Sequence, residues 1–301
     1  MRTRLVLILP LILAALSARA EACSQCLCGM PFPADVLGGV VPNQLSYGLE
    51  ERYLSKSNAL EEAPGVEEER EHRVAAFGLW RAGNRIALLG RVPFNVKEIT
   101  LKPTDEAETR ETTRGIGDSE LLLMAGLFQS TGPRPLMVGL VLGGTAPTGS
   151  SDKKGPDGER LDAHLQPGIG AWSGTAGVHV AVASSAGVWD LSLLGRASDI
   201  NEHGYQYGSA ALYNAGFITR AWRGAQLLAQ VNGRAARRDR FEDGSPGENT
   251  GGTVTYLSPG LRWSGDLGLA LEGAVQIPIA QSLYGDQTEH TTARFSLSIA
   301  R

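Results

Sequence analysis

From Asn43 onward, apolar residues alternate with small or polar ones over segments of roughly ten to sixteen residues, the two-residue period of a strand with unlike faces. Leu267 to Ile279 is the clearest case. Leu267, Leu269, Leu271, Gly273, Val275, Ile277 and Ile279 share one face, and Gly268, Ala270, Glu272, Ala274 and Gln276 share the other. Between such segments the connections are alternately tight and long. The tight ones are Ala82-Gly83-Asn84, Thr131 to Arg134, Ser184 to Gly187, Ala221 to Gly224 and Ser264-Gly265-Asp266. Long polar loops are expected at Ser55 to Glu71, Thr100 to Arg114, Gly149 to Arg160, Asp199 to Gly204, Arg238 to Gly252 and Gln281 to Gln287. The pattern predicts an all-β fold, a single antiparallel transmembrane β-barrel of about twelve strands. Short turns would then be periplasmic and long loops extracellular, with both termini periplasmic. A soluble exported sandwich is the rival, but its strands run nearer five or six residues and its turns do not alternate in length this way.

Residues 1–20 read as a signal peptide: Arg2 and Arg4, an apolar stretch from Leu5 to Leu16, and the small-x-small site Ala18-Arg19-Ala20. Without that segment 25 basic residues face 32 acidic ones, so the exported chain has a net charge of −7. Nucleic-acid binders carry a basic footprint, and no such partner is expected. Residues 21–42 are read as a periplasmic segment and 43–301 as the barrel, placed in the outer membrane of a Gram-negative bacterium with membrane lipid and a small-molecule solute as partners.

Charge enters through the strand phase. With the apolar face toward lipid, Glu50, Lys97, Glu120, Asp190, Glu272 and Arg294 face the lumen together with Arg52, Arg91, Arg196, Arg234 and Arg262. A charge pointing to lipid at the midplane costs about 2–4 kcal/mol, which supports the inward assignment. The five arginines are the candidate selectivity residues of a polar path. The same charges, paired, would fill a narrow barrel as a plug; both readings stand at this point.

Cys23, Cys26 and Cys28 lie within six residues near the mature N-terminus. Three thiols so close are candidate ligands for Cu(I) or Zn(II), or for docking a periplasmic partner. A disulfide between two of them in an oxidising compartment, or lipidation of Cys23, competes with that reading. No histidine follows the cysteine pair, so covalent haem attachment is not indicated. His72, His164, His179, His203 and His290 are scattered, and no G-x-S-x-G nucleophile elbow occurs, so no enzyme activity is expected.

Five glycine-rich pieces occur in order along the barrel: Gly115-Ile116-Gly117-Asp118, Gly143 to Gly149, Gln166-Pro167-Gly168-Ile169-Gly170, Tyr205-Gln206-Tyr207-Gly208, and Ser258-Pro259-Gly260-Leu261-Arg262. In that order and context the chain resembles the outer-membrane transporter-like family labelled for the MetA pathway of phenol degradation. The resemblance implies an outer-membrane barrel that passes small, hydrophobic or aromatic molecules. Read physically, Pro167 to Gly170 would bend or start a strand.

Overall fold

The computed structural model describes residues 44–60, 64–83, 85–105 and 107–301. The signal segment, the 21–42 segment and Cys23, Cys26 and Cys28 lie outside the described residues. The elements are β1 (Leu45–Ala59), β2 (Gly65–Ala82), β3 (Ile86–Pro103), β4 (Thr109–Ile116), β5 (Ser119–Gln129), β6 (Leu136–Ala146) and β7 (Ser173–Ala183). They continue with β8 (Gly187–Ser198), β9 (Ala210–Thr219), β10 (Ala225–Ala236), β11 (Gly252–Ser264), β12 (Leu269–Leu283), β13 (Thr288–Glu289) and β14 (Thr292–Ala300).

Two pairs of segments each make one wall strand. β4 pairs β3 from Phe94↔Ile116 to Leu101↔Thr109, and β5 takes over from Arg91↔Glu120 to Ile86↔Ala125, with Gly117-Asp118 as the break. Likewise β13 and β14 both pair β1, at Lys56↔Glu289 and from Tyr53↔Ala293 to Ser46↔Ala300. Neighbouring wall strands are antiparallel, and β1 pairs β2 on one side and β14 on the other. The result is the expected closed 12-strand antiparallel barrel. Closure matters because a strand edge in hydrocarbon would leave backbone N–H and C=O groups unpaired at several kcal/mol each.

The strand phase is as expected. Leu49, Val92, Phe94, Leu121, Leu191, Leu261, Ile279 and Phe295 are exposed on the outside, while Glu50, Arg52, Arg91, Lys97, Asp190, Arg234 and Glu272 are buried inside. Trp80, Trp189, Trp222 and Trp263 are exposed near the short-turn rim, and Trp189 packs on Phe217 at 4.5 Å between ring centroids. Aromatic residues at such a rim match the interfacial girdle of membrane barrels.

Four boundaries differ from expectation. The acidic stretch Ser55 to Glu71 is not a loop: β1 runs to Ala59 and β2 starts at Gly65. Thr100 to Arg114 is mostly strand too, through β3 and β4. Beyond the apolar belt both faces of a strand meet polar surroundings, so the alternation persists in charges rather than in hydrophobicity. Lys56 meets Glu69 at 2.5 Å, Lys102 meets Glu68 at 2.6 Å, and Arg73 meets Glu71 at 2.8 Å. Conversely, two strands start later than their sequence suggests. β7 begins at Ser173 rather than near His164, and β9 at Ala210 rather than Tyr205. The residues preceding each belong to inward loops.

Leu191 tests the outer face. Leu191→Arg is expected to destabilise the barrel in lipid vesicles by about 2–4 kcal/mol, whereas Leu191→Val changes little. Denaturant titration followed by heat-modifiable gel migration measures both.

Candidate functional site

The connection between β6 and β7 turns back into the barrel. Asn95, Lys97 and Thr113 are buried lumen-facing residues of β3 and β4, alternating with outward Phe94, Val96 and Arg114. Each donates a hydrogen bond to a carbonyl of the loop. Asn95 Nδ2 reaches Pro167 O at 2.6 Å, Lys97 Nζ reaches His164 O at 2.9 Å, and Thr113 Oγ1 reaches Leu165 O. From the opposite side Asn201 Nδ2 donates to Ile169 O at 3.0 Å and the Tyr207 hydroxyl to Ala163 O at 2.8 Å. Ala163, Leu165, Gln166, Ile169 and Ala171 are accordingly buried. The Gln166 amide closes the loop on itself, accepting from Lys153 N–H and donating to Lys153 O and Leu161 O.

A latch holds this loop at the break between β4 and β5. The two oxygens of Asp118 accept from the N–H of Gly149 at 2.8 Å and of Ile169 at 2.6 Å, clamping both ends of the loop to one carboxylate. The backbones come too close for side chains. A Cβ on Gly168 would lie 2.7 Å from Asp118 Oδ1 and 2.8 Å from Gly149 Cα. Four of the five glycine-rich pieces of the sequence therefore meet around one loop. Pro167 to Gly170 does not bend a strand, as expected from sequence, but forms the inserted part of the latch. Asp118 itself was legible only as the last letter of Gly115-Ile116-Gly117-Asp118.

The five candidate arginines do not form one group. Arg52 pairs with Glu50 at 2.7 Å, Arg91 with Glu120 at 2.8 Å, and Arg234 with Glu289, which also accepts from Tyr256. Arg196 is half-buried and reaches Ser173 Oγ at 3.3 Å, while Arg262 sits near the short-turn end beside Ser264. Of the two alternatives the geometry shows paired charges. A space of about 40 Å³ remains between Lys56, Glu69, Lys97, His164 and Glu289, and another of about 40 Å³ between Glu50, Arg91, Asp118, Glu120 and Arg196. Each admits about one water, whose share of liquid volume is roughly 30 Å³. With the loop latched, these spaces are too small for an organic solute.

Below the latch, toward the short turns, the lumen has two unlike arcs. Phe77, Leu79, Leu89, Leu122, Met124, Val141 and Leu194 form an apolar cluster on β2, β3, β5, β6 and β8. Next to it His179, Ser192, Asn214 and Asn232 form one cross-strand row, with Asp190 and Gln230 one step nearer the short turns. These side chains are buried, and Asn214 donates to Asp190. Yet both His179 ring nitrogens, Asp190 Oδ1, Asn214 Oδ1 and Asn232 Nδ2 have no hydrogen-bond partner among the described residues. Buried polar atoms are normally satisfied, and in a lumen water or a solute does so. Sequence reading found the charges here but not the apolar arc, because its leucines share a phase with polar residues higher on the same strands.

The fold is similar to that of an outer membrane channel from Pseudomonas putida F1, with a TM-score of 0.61 at 12% identity over 90% of this chain and 99% of that one. It is also similar to the translocator domain of the autotransporter NalP from Neisseria meningitidis (TM-score 0.48, 9% identity, 88% of this chain and 91% of that one). A third likeness is to the CymD monoaromatic hydrocarbon channel (TM-score 0.41, 7% identity, 94% and 97%). No family model matches the chain, and no curated protein matches it. At these identities the likeness establishes the fold, that of an outer-membrane barrel.

Two further loops cap the inserted one. Asp239, in the connection after β10, accepts from the Tyr205 hydroxyl at 2.7 Å and from Gly208 N–H at 2.7 Å, and Tyr205 also contacts His164 Nε2 at 3.1 Å. Burial pushes the Asp239 carboxyl above the ordinary carboxylate range, opposed by His164 and by the bonds from Gly208 and Tyr205. Its folded value thus exceeds the unfolded value of about 3.9. The contribution of Asp239 to mouth stability is fully present below that pH and is lost as pH rises through the folded value. Hydrogen exchange across residues 199–209 should therefore quicken as pH rises, beyond the intrinsic rate, and Asp239→Asn should flatten this excess. Asp118→Ala removes two charge-assisted bonds of about 1.5–3 kcal/mol each. It is expected to open the loop and raise single-channel conductance severalfold in planar bilayers, with the barrel still heat-modifiable.

Proposed function

We propose that this chain is an outer-membrane channel that admits a small molecule bearing both an apolar body and a hydrogen-bonding group, with the loop between β6 and β7 as its gate. The observation that carries this reading is the two-sided lumen: a cluster of leucines, methionine and phenylalanine beside a row of buried polar atoms without partners among the described residues. An apolar ring or chain gains by burial against the first, about 25 cal/mol per Å² of surface removed from water. A hydroxyl or amine on the same molecule satisfies the second. Hydroxylated aromatic compounds fit both sides, in keeping with the family resemblance of the glycine-rich pieces. The Pseudomonas putida protein of similar fold is described as an outer membrane channel, which supports passage over a purely structural role. In this reading the short turns and both termini are periplasmic and the latched loop faces outward.

Liposome swelling with purified full-length protein tests it. Flux of a small hydroxylated aromatic should exceed that of a sugar of equal size, and Asp118→Ala should increase it. Asn232→Leu should lower the flux of the hydroxylated compound by about fivefold relative to the matching hydrocarbon, the worth of roughly one hydrogen bond. Absence of flux in both wild type and Asp118→Ala would overturn the channel reading.

A further inference from the structure

The short-turn end carries an unbalanced positive charge. Arg85 lies in the β2–β3 turn, Arg134 in the β5–β6 turn, and Arg220 and Arg223 in the β9–β10 turn; all four are exposed. None has a carboxylate partner among the described residues. The one acid in the five short turns is Asp266, so this rim has a net charge of +3 while the whole chain is at −4. The contrast with the opposite end is sharp, where Arg70, Lys102 and Arg110 are each tied to Glu68 or Glu98.

Apolar side chains stand beside these arginines in water-facing positions. Trp222 is 71% exposed at the tip of its turn, with the Arg223 guanidinium over its ring at 5.1 Å, and Leu267 is 91% exposed at the next turn. Trp80, Trp189 and Trp263 continue this girdle around the wall. Tryptophan settles at headgroup depth, with its apolar body toward the chains and its N–H toward water. An arginine at a turn within a few residues of that girdle stands at the depth of lipid phosphates, which its planar fork matches in two parallel bonds.

We propose that the short-turn rim is a collar that binds anionic phospholipid headgroups. The occupant is lipid rather than an acidic protein because the basic turns fall on opposite sides of the ring, the consecutive β2–β3 and β5–β6 turns on one and the β9–β10 turn on the other. A protein docked on either side would miss the basic turns of the other, and only an interface surrounding the barrel meets all three while burying Trp222 and Leu267.

Native mass spectrometry of the full chain in neutral detergent, with equal amounts of phosphatidylglycerol and phosphatidylcholine, tests the collar. Wild type should retain phosphatidylglycerol with a roughly tenfold preference, conservatively below what four arginines near a charged surface supply. The preference should fall as salt is raised. The R85Q/R134Q/R220Q/R223Q variant should lose it, and R70Q/R110Q at the other end should keep it. Equal retention of the two lipids by wild type overturns the proposal, as does a preference that survives in the fourfold variant. Displacement of phosphatidylglycerol by inorganic phosphate at the same concentration marks a simple anion site and overturns it too. Should the fourfold variant fail to fold, the wild-type salt titration decides, and a salt-independent preference counts against the collar.

Discussion

Every backbone donor and acceptor inside the apolar belt must find its partner within the sheet, because hydrocarbon offers none. β1 meets that demand by pairing β14 as well as β2, and the other features of the molecule follow from that closure. A closed sheet has two faces that never exchange. One takes Leu49, Phe94, Leu191 and Phe295 to the outside, and the other encloses whatever the same strands carry at the intervening positions. The interior is therefore a consequence of the wall, and the chain had to fill it, gate it or leave it wet.

Charges fill part of it as neighbours on adjacent strands. Arg91 on β3 faces Glu120 on β5, Arg294 on β14 faces Glu272 on β12, and Arg52 takes Glu50 from its own strand. Removing one partner of such a couple strands a buried charge at about 3–5 kcal/mol, while the intact couple adds little net stability. Pairs of this kind fix the spacing and register of the strands around a lumen that no single hydrophobic core could hold. They also explain why Arg52, Arg91, Arg234 and Arg294 do not amount to an open cationic path: each stands against a carboxylate.

The wall was legible in the sequence because lipid imposes its signature on alternate residues: Leu267 to Ile279 announces a strand by itself. The signature fades wherever both faces of a strand are polar, and so Glu67 to Glu71 read as loop although its carboxylates pair across the strands with Lys56 and Lys102 and along β2 with Arg73. The loop between β6 and β7 was illegible for the opposite reason. Leu165, Ile169 and Ala171 are apolar and buried, so they mimic a strand, yet they are buried by insertion into the lumen. Nor does composition reveal that Asp118, some thirty residues before Gly149 and fifty before Ile169, meets both. Such a contact depends on the β4–β5 break turning Asp118 toward the loop.

That inserted loop is held in a manner suited to release. The wall supplies side-chain donors from Asn95, Lys97 and Thr113, the β8–β9 loop supplies those of Asn201 and Tyr207, and the inserted loop supplies backbone carbonyls. Bonds of this type constrain the path of the loop and not its side chains, apart from the glycines that the close approach at Asp118 requires. On withdrawal, the freed carbonyls and wall donors would be rewetted by the same lumen, so the net loss per bond is nearer 1 kcal/mol than the several that an unsatisfied buried group costs. The strands cannot follow, since each backbone bond broken within the belt would face lipid. Low cost in the loop and high cost in the wall place the two at opposite ends of local stability, which is the energetic arrangement of a gate within a rigid frame.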